Sequence, residues 1–335
     1  MFCQLVKSKK RRRSYEKNVF FLVTAFCCLC CFTVSCDNKI TVDENPVVIS
    51  TESRSYAEQQ FAAANDAFRN LVESKSRSVS EAEIDPEDYS TWPLADRLEA
   101  AAWLGILNDD SEETIRIAKE SGVYEDLMDI VKEYDLENCV KIRNSAARSA
   151  ARSITSSTVS SSAKTGDIFL SHSYDSSLAG SSVALLNTLT RGYYKHSGIY
   201  DKRIKGDACV LSASNNNDHF KKGESEGLGA VGYEYMSDWT KTDKAVGVVR
   251  VKNATDDQRV KAVEEGEKWV GRPYGLSLSR KSDDTFYCSK VVYRCWLSQG
   301  YDLEYTTWYF APGLFVTPQD LYDDSDTVFV CGDKA

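Results

Sequence analysis

The feature that most constrains the fold is a change of hydrophobic periodicity near the middle of the chain. Over residues 56–154 apolar residues such as Phe61 and Phe68 recur at helical spacing. Residues 155–163 are rich in Ser and Thr, and beyond them the chain is punctuated by glycine and alternates like strands. The pattern predicts an all-α helical region over 56–154, a linker over 155–163 and an α+β domain over 164–335.

The predicted elements of the α+β domain do not follow a βαβ rhythm, which argues against a doubly wound parallel sheet. The strand predictions cover residues 166–170, 196–200, 208–213 and 245–251. The helix predictions cover residues 181–189, 256–270 and 288–299, the last ending before Gly300.

The N-terminus predicts export from the cytoplasm. A basic run, KSKKRRR, precedes the apolar stretch Val19–Val34 and then Ser35-Cys36. A small residue before a cysteine is where bacterial lipoprotein signals are cut and the new terminal cysteine is acylated. We therefore expect a signal over 1–36 with lipidation at Cys36, a tether over 37–55, and a membrane-anchored protein in the bacterial cell envelope. The alternative is an uncleaved anchor, although the apolar stretch is shorter than the roughly 20 residues that span a bilayer.

The charge balance excludes nucleic acid as a partner. The chain has 41 basic and 50 acidic residues, and seven of the basic ones lie in the first 35 residues with one acid. The remainder therefore holds 34 basic and 49 acidic residues. Phosphate binding needs a basic footprint, which an acidic mature protein does not offer.

The cysteines predict neither disulfides nor a metal site. Six of the eleven lie within residues 1–36. The remaining five are odd in number, are irregularly spaced and contain no C-x-x-C pair. We expect no metal and no cofactor. These five are Cys139, Cys209, Cys288, Cys295 and Cys331.

Cys288 is the candidate nucleophile. It lies in DDTFYCSKVVYRCW, where Asp283, Asp284 and Thr285 are expected to cap a helix that begins near Cys288. A helix N-terminus lowers the pKa of a thiol, and the free backbone N–H groups there stabilise a developing oxyanion. The alternative is a buried structural cysteine, the interpretation that also fits Cys295.

A base for Cys288 must come from the only three histidines of the chain, His172, His196 and His219. His196 lies in the strand-like run YYKHSGIY beside Gly198, which allows a close approach of another backbone or a ligand. A structural histidine is the alternative for each of the three.

Six segments in order, GDIFL, KHSGIY, VLSA, GRPYG, FYCSKVVY and TPQDLY, resemble a known family. They are similar to the circularly permuted papain-like branch of the NlpC-type cysteine peptidase/amidase superfamily. The resemblance is closest to YiiX-like proteins and more distant to lecithin:retinol acyltransferase, and it covers about residues 164–323. It implies a permuted papain-like domain with a small antiparallel sheet or barrel, Cys288 as nucleophile and His196 as base, with the histidine preceding the cysteine.

The resemblance also implies roles for other residues. Tyr274 in GRPY and Tyr287 match aromatic positions that line the substrate cleft. The family carries a polar residue, often glutamate, on the strand after the histidine strand, and VLSA places Ser212 there. A hairpin centred near Ile204 pairs Ser212 with His196. The other candidates for orienting the imidazole are Asp207, Asn215, Asn216 and water.

The implied function is a cell-envelope cysteine amidase or peptidase that acts on a cell-wall peptide or another small amide. One alternative is a lipid acyltransferase or lipid amide hydrolase that uses the same Cys–His dyad. The other is a non-catalytic surface binding protein on a degenerate scaffold, because Ser212 stands where a carboxylate is usual.

Overall fold

The computed structural model describes most of the chain from residue 50 onward. The predicted signal with Cys36 lies outside the described residues, as does most of the predicted tether. Among the described helices, none is both long and apolar enough to cross a membrane. The described residues are 50–75, 85, 88–108, 112–151, 155–173, 193–214, 229–241, 244–275, 280, 282–304 and 316–333.

The N-terminal part of the described chain is helical, as its apolar spacing predicts. Its helices share a core that includes the buried side chains of Phe61, Leu98 and Leu127. Burial of each such side chain contributes about 1.5–3 kcal/mol. The first helix begins inside the predicted tether. The helices are α1 (Thr51–Lys75), α2 (Leu94–Asn108), α3 (Glu113–Glu120), α4 (Tyr124–Glu133) and α5 (Leu136–Ala151).

Within the described residues, the C-terminal part is built on a six-stranded antiparallel sheet. The strands are β1 (Ile168–Ser173), β2 (His196–Tyr200), β3 (Ala208–Ser214), β4 (Ala230–Tyr235), β5 (Lys244–Val251) and β6 (Thr327–Gly332). Their order across the sheet is β4-β3-β2-β1-β5-β6. The α+β prediction is confirmed, and the four predicted strands correspond to β1, β2, β3 and β5. The sequence pattern does not predict β4 and β6.

Successive side chains of a strand point to opposite faces of the sheet, so both faces carry apolar side chains. Helices cover both of these faces. On one face Leu170 and Leu211 share a core with Val291 of the cysteine helix. On the other face Phe169 and Val248 form a second core. The predicted helix over 181–189 lies outside the described residues. The helices are α6 (Ser156–Ser162), α7 (Met236–Trp239), α8 (Asp256–Glu267), α9 (Cys288–Leu297) and α10 (Pro318–Asp323).

The Ser/Thr-rich stretch differs from the linker that its composition predicts, because α6 occupies it. The Thr155 side chain caps this helix by accepting a hydrogen bond from the Thr158 N–H at 3.2 Å. The Val159 side chain is buried in the core that contains Phe169. The Ser and Thr content reflects the solvent-facing positions, while one apolar residue docks the helix on the sheet.

The helical region packs directly on the α+β part, and both belong to one compact unit, Pro46–Ala335. Arg54 of α1 forms an ion pair with Asp333 at 3.4 Å. The Arg143 guanidinium of α5 lies over the Tyr193 ring, 5.0 Å from its centroid. Tyr193 comes three residues before His196 and donates its hydroxyl hydrogen bond to Asp333. The helices therefore contact the segment that leads into β2.

A buried ion cluster fixes the start of β1. The Asp167 side chain is fully buried and accepts hydrogen bonds from Arg250 at 2.8 and 2.6 Å and from Arg259 at 3.3 Å. It also accepts the Lys164 N–H at 2.7 Å. Asp167 thus joins β1, β5 and α8, which agrees with a structural role at the opening turn of the domain.

Replacing Asp167 with asparagine is expected to destabilise the fold by about 3–5 kcal/mol, because two arginines next to it lose their buried counter-charge. Urea unfolding of the full chain measures this free energy. The matched control is Asp257→Asn, which breaks an exposed helix pair with Lys261 and leaves stability nearly unchanged. Equal midpoints for D167N and wild type would refute a structural role for the cluster.

Candidate active site

The helix predicted to carry the nucleophile is present, and α9 begins at Cys288. Its start differs from the predicted capping: the N-cap residue is Tyr287, and the Tyr287 side chain makes no capping hydrogen bond. The preceding loop is held by Lys290, whose buried Nζ donates to the Thr285 carbonyl at 2.8 Å. Arg294 adds an ion pair to Asp283 at 2.8 Å.

The position of Cys288 in the first turn of α9 places its sulfur at the positive end of a ten-residue helix. The N–H groups of this turn precede the first intrahelical bond, which runs from Val291 N to the Tyr287 carbonyl at 3.2 Å. Cys288 as a whole residue is 3% exposed. Val292 and Trp296, one and two turns further along, are fully buried and anchor the helix. Apolar side chains therefore hold α9 in place, while the sulfur and the N–H groups of its first turn are not used in packing the helix.

His196 opens β2 and lies close enough to Cys288 for each side chain to shift the pKa of the other. Gly198 makes the tight packing of this strand possible, as its position in the sequence predicts. A Cβ at Gly198 would come within 2.6 Å of Val210 Cγ1 and 3.1 Å of Trp239 Cζ2. Any larger residue would displace β2 or its neighbours.

The electrostatics of the pair favour the charged forms of both groups. Burial alone raises the pKa of Cys288, but the hydrogen bond and charge of His196, together with Ser197, lower it. Burial alone lowers the pKa of His196, but Glu234 and Cys288 raise it to about 10. The arrangement therefore supports a thiolate–imidazolium ion pair, which is a ready nucleophile at neutral pH.

Glu234 of β4 is the carboxylate that the sequence analysis did not identify. Its two oxygens lie 3.0 and 3.1 Å from His196 Nε2. The Glu234 side chain is 14% exposed and that of His196 is 24% exposed, so the contact is largely shielded from water. Nε2 is therefore the ring nitrogen that the carboxylate contacts.

Ser212 of β3 also lies near His196, but it contacts the imidazole less closely than Glu234 does. Its Oγ is 3.4 Å from His196 Nε2 and donates to the Ser197 carbonyl at 2.6 Å. The predicted hairpin register is wrong by one residue at the turn. Ile199 pairs with Leu211, which centres the hairpin on residue 205. Ser212 is therefore a diagonal neighbour of His196 and bonds mainly to the backbone.

Both predicted cleft tyrosines lie near the sulfur, in different settings. Tyr274 is partly exposed; burial and the charges of Cys288 and Glu234 raise its pKa, so the phenol keeps its proton. Tyr287 is buried, and its hydroxyl accepts a hydrogen bond from Val316 N at 3.3 Å. Of the two, Tyr274 is therefore the one that solvent can reach, whereas Tyr287 is part of the buried interior.

The remaining candidate groups lie away from the pair. Buried His172 stacks on Tyr193 at 4.4 Å, and its Nδ1 bonds the Tyr193 carbonyl at 2.6 Å. His219 lies outside the described residues. Burial raises the pKa of Cys295, which makes it a poor nucleophile. All five cysteines of the described part are free thiols, and no three His, Cys, Asp or Glu side chains there form a metal-binding group.

The fold and the thiol helix define a cysteine hydrolase. The family of permuted papain-like amidases, the YaeF/YiiX or C92 family, matches residues 162–330, which is half of the chain. The chain belongs to this family, and the resemblance drawn from its segments is confirmed. A crystal structure of the metalloprotein yiiX from Escherichia coli O157:H7 is 20% identical, covering 51% of this chain and 98% of that one with a TM-score of 0.33. No curated protein matches the chain.

Proposed function

We propose that the protein is a cysteine amidase or peptidase in which Cys288 is the nucleophile, His196 the proton carrier and Glu234 the residue that orients His196. The observation that carries the proposal is the position of His196 between the Cys288 sulfur and the Glu234 carboxylate at the start of α9. This is the relation of nucleophile, base and orienting carboxylate that acyl transfer requires.

In the acylation step the Cys288 thiolate bonds to the carbonyl carbon of the substrate, and the carbonyl electron pair moves to oxygen. The backbone N–H of Cys288, at the start of α9, donates to this oxyanion. Collapse of the intermediate breaks the C–N bond. The His196 imidazolium gives its proton to the departing nitrogen, and a thioester remains on Cys288.

In the deacylation step water attacks the thioester while neutral His196 accepts its proton. Collapse of the second intermediate releases a carboxylic acid and returns the thiolate–imidazolium pair. Glu234 holds the Nε2–H through both steps and stabilises the imidazolium, which gives up its proton in acylation and is formed again in deacylation. Tyr274, partly exposed beside the sulfur, supports substrate binding at the cleft wall.

The substrate we propose is a peptide or small amide of the cell wall. Membership in an amidase family supports an amide bond as the target. The export signal predicted over residues 1–36 would bring the enzyme to the envelope, where such peptides are found. Neither point depends on a cofactor, because the reaction balances with water alone.

Incubation of the full chain with defined cell-wall peptides and, separately, with N-acyl lipids tests this assignment. We expect one new amine and one new carboxylate for each peptide bond cleaved, identified by mass spectrometry, and intact lipids. Cleavage of the lipids with intact peptides would make the protein a lipid amide hydrolase. A lack of turnover on both, with an ordinary thiol pKa near 8.5 at Cys288, would favour a binding protein.

A further inference from the structure

Trp239 lies directly on the imidazole of the proposed base. The two rings stack with centroids 5.0 Å apart and an interplanar angle of 21°. Trp239 ends α7, five residues after Glu234, so one short segment brings both groups to His196. The indole is 1% exposed, and Phe169 packs edge-on against it at 6.0 Å.

The position of the indole is fixed by bonds from other elements. The Asp207 carbonyl accepts the Met236 N–H at 2.8 Å, and its carboxylate accepts the Ser237 N–H at 3.1 Å. One residue after the indole, the Thr240 hydroxyl bonds that of Ser156 at 2.6 Å. These contacts hold α7 against β3 and α6, so the ring does not depend on His196 for its place.

The stability of the fold does not by itself explain why position 239 is a tryptophan. Its Nε1 is buried and has no hydrogen-bond partner among the described residues. An unsatisfied buried N–H is unfavourable, whereas phenylalanine would fill much of the same space without one. The property that tryptophan adds is its large electron-rich face, which is turned to His196.

We propose that Trp239 is a positioning residue that locks the His196 ring and favours its imidazolium form by stacking on it. The face of an indole attracts a cation within about 6 Å of its centroid, and tryptophan does so more strongly than phenylalanine. A neutral imidazole gains less, so the stack stabilises the protonated state. The inference deepens the proposed function, since it concerns the proton that His196 delivers.

Several other groups face His196, and their contacts with it are separate from the stacking of Trp239. They are the Glu234 carboxylate from β4, the Cys288 sulfur from α9 and the Ser212 hydroxyl from β3, with the Tyr274 phenol near the first two. The Trp239 side chain does not gain or lose a proton in the working pH range. Its removal therefore changes how firmly His196 holds a proton without changing the number of titrating groups.

NMR titration of the three histidine rings tests the proposal in the full chain, with His196→Gln to assign the signal. We expect Trp239→Leu to lower the pKa of His196 by about half a unit to one and a half units. Trp239→Phe keeps an aromatic face and should lower it by less. The matched control is Trp296→Phe, which removes another buried indole whose N–H is unpartnered but which packs on Tyr301 at 5.5 Å.

An unchanged His196 titration in both Trp239 variants, with native circular dichroism, would overturn the proposal. So would an equal shift in Trp296→Phe, because that would show a general effect of core substitution. The titration is read without substrate, so it is independent of turnover. If no hydrolysis is found and the graded shift still appears, the role of Trp239 stands and only the proposed reaction fails.

Discussion

Replacing Cys288 with alanine is expected to abolish the proposed amide hydrolysis, with a fall in kcat of roughly 10⁴- to 10⁶-fold. The reason is that acylation needs the sulfur lone pair at the start of α9, and no other described group stands in its place. The closest cysteine along the helix, Cys295, is fully buried, and burial raises its pKa. Initial rates on a cell-wall peptide that wild type cleaves measure the loss, and cleavage by C288A at a tenth of the wild-type rate would contradict it.

Alkylation provides a second measurement that does not need a substrate. At pH 6.5 iodoacetamide should modify Cys288 before Cys139, Cys209 or Cys331, because burial raises the pKa of each of these three. Peptide mapping by mass spectrometry identifies the modified residue. The matched control is Cys331→Ser, which changes a partly exposed thiol and should leave both alkylation of Cys288 and hydrolysis intact.

Local patterns in the sequence predict those elements whose formation depends on nearby residues. The apolar side of α9, with Val291, Val292 and Trp296, follows helical spacing and is fully buried as predicted. Gly300, after the helix, has φ +86°, the left-handed conformation that glycine adopts without strain. These features depend on residues within a few positions of each other, and a single sequence contains them.

Local sequence patterns do not show which distant strands pair with each other. The identity of the residue that orients His196 depends on one such pairing. Glu234 lies in AVGYEY, a short segment with weak alternation, and residues 215–229 separate its strand from β3, with which it pairs. Glu234 lies opposite Val210 in the same continuous register that pairs Ser212 with Gly232, and the register shifts only beyond Val210. Hairpin arithmetic from β2 reaches only the adjacent strand, so it finds Ser212. Glu234 lies two residues after Gly232, which is the strand partner of Ser212. Its carboxylate is the sequence feature that would have indicated the orienting residue once that pairing was known.

The packing of the helical region on the sheet also depends on long-range contacts. The helical spacing of apolar residues over 56–154 predicts a helical core, but not that Arg54 pairs with Asp333 after β6 or that Arg143 reaches Tyr193 before β2. A long polar side chain on a helix is usually a solvated one. Here Arg143 stacks on Phe61 at 4.1 Å as well as on Tyr193, which only the tertiary structure reveals.

Replacing Glu234 with glutamine is expected to lower kcat/KM by about 10²- to 10⁴-fold near neutral pH and to narrow the active pH range from its alkaline side. Hydrolysis needs protonated His196, so it is lost as the pH rises through the pKa of His196, about 10 in wild type. Glutamine keeps an oxygen near Nε2 but removes the charge that raises this pKa. The loss should therefore occur at a lower pH, nearer the ordinary value of about 6.5.

The matched comparison is Ser212→Ala, which removes the other oxygen near His196 Nε2. Because the hydroxyl is uncharged and donates to the Ser197 carbonyl, its loss should leave the alkaline limit of activity in place and cost less than tenfold. Profiles of kcat/KM against pH for both variants and wild type separate the two roles. If S212A moved the alkaline limit further than E234Q, the serine would be the orienting residue. Glu234 would then be no more than a nearby charge.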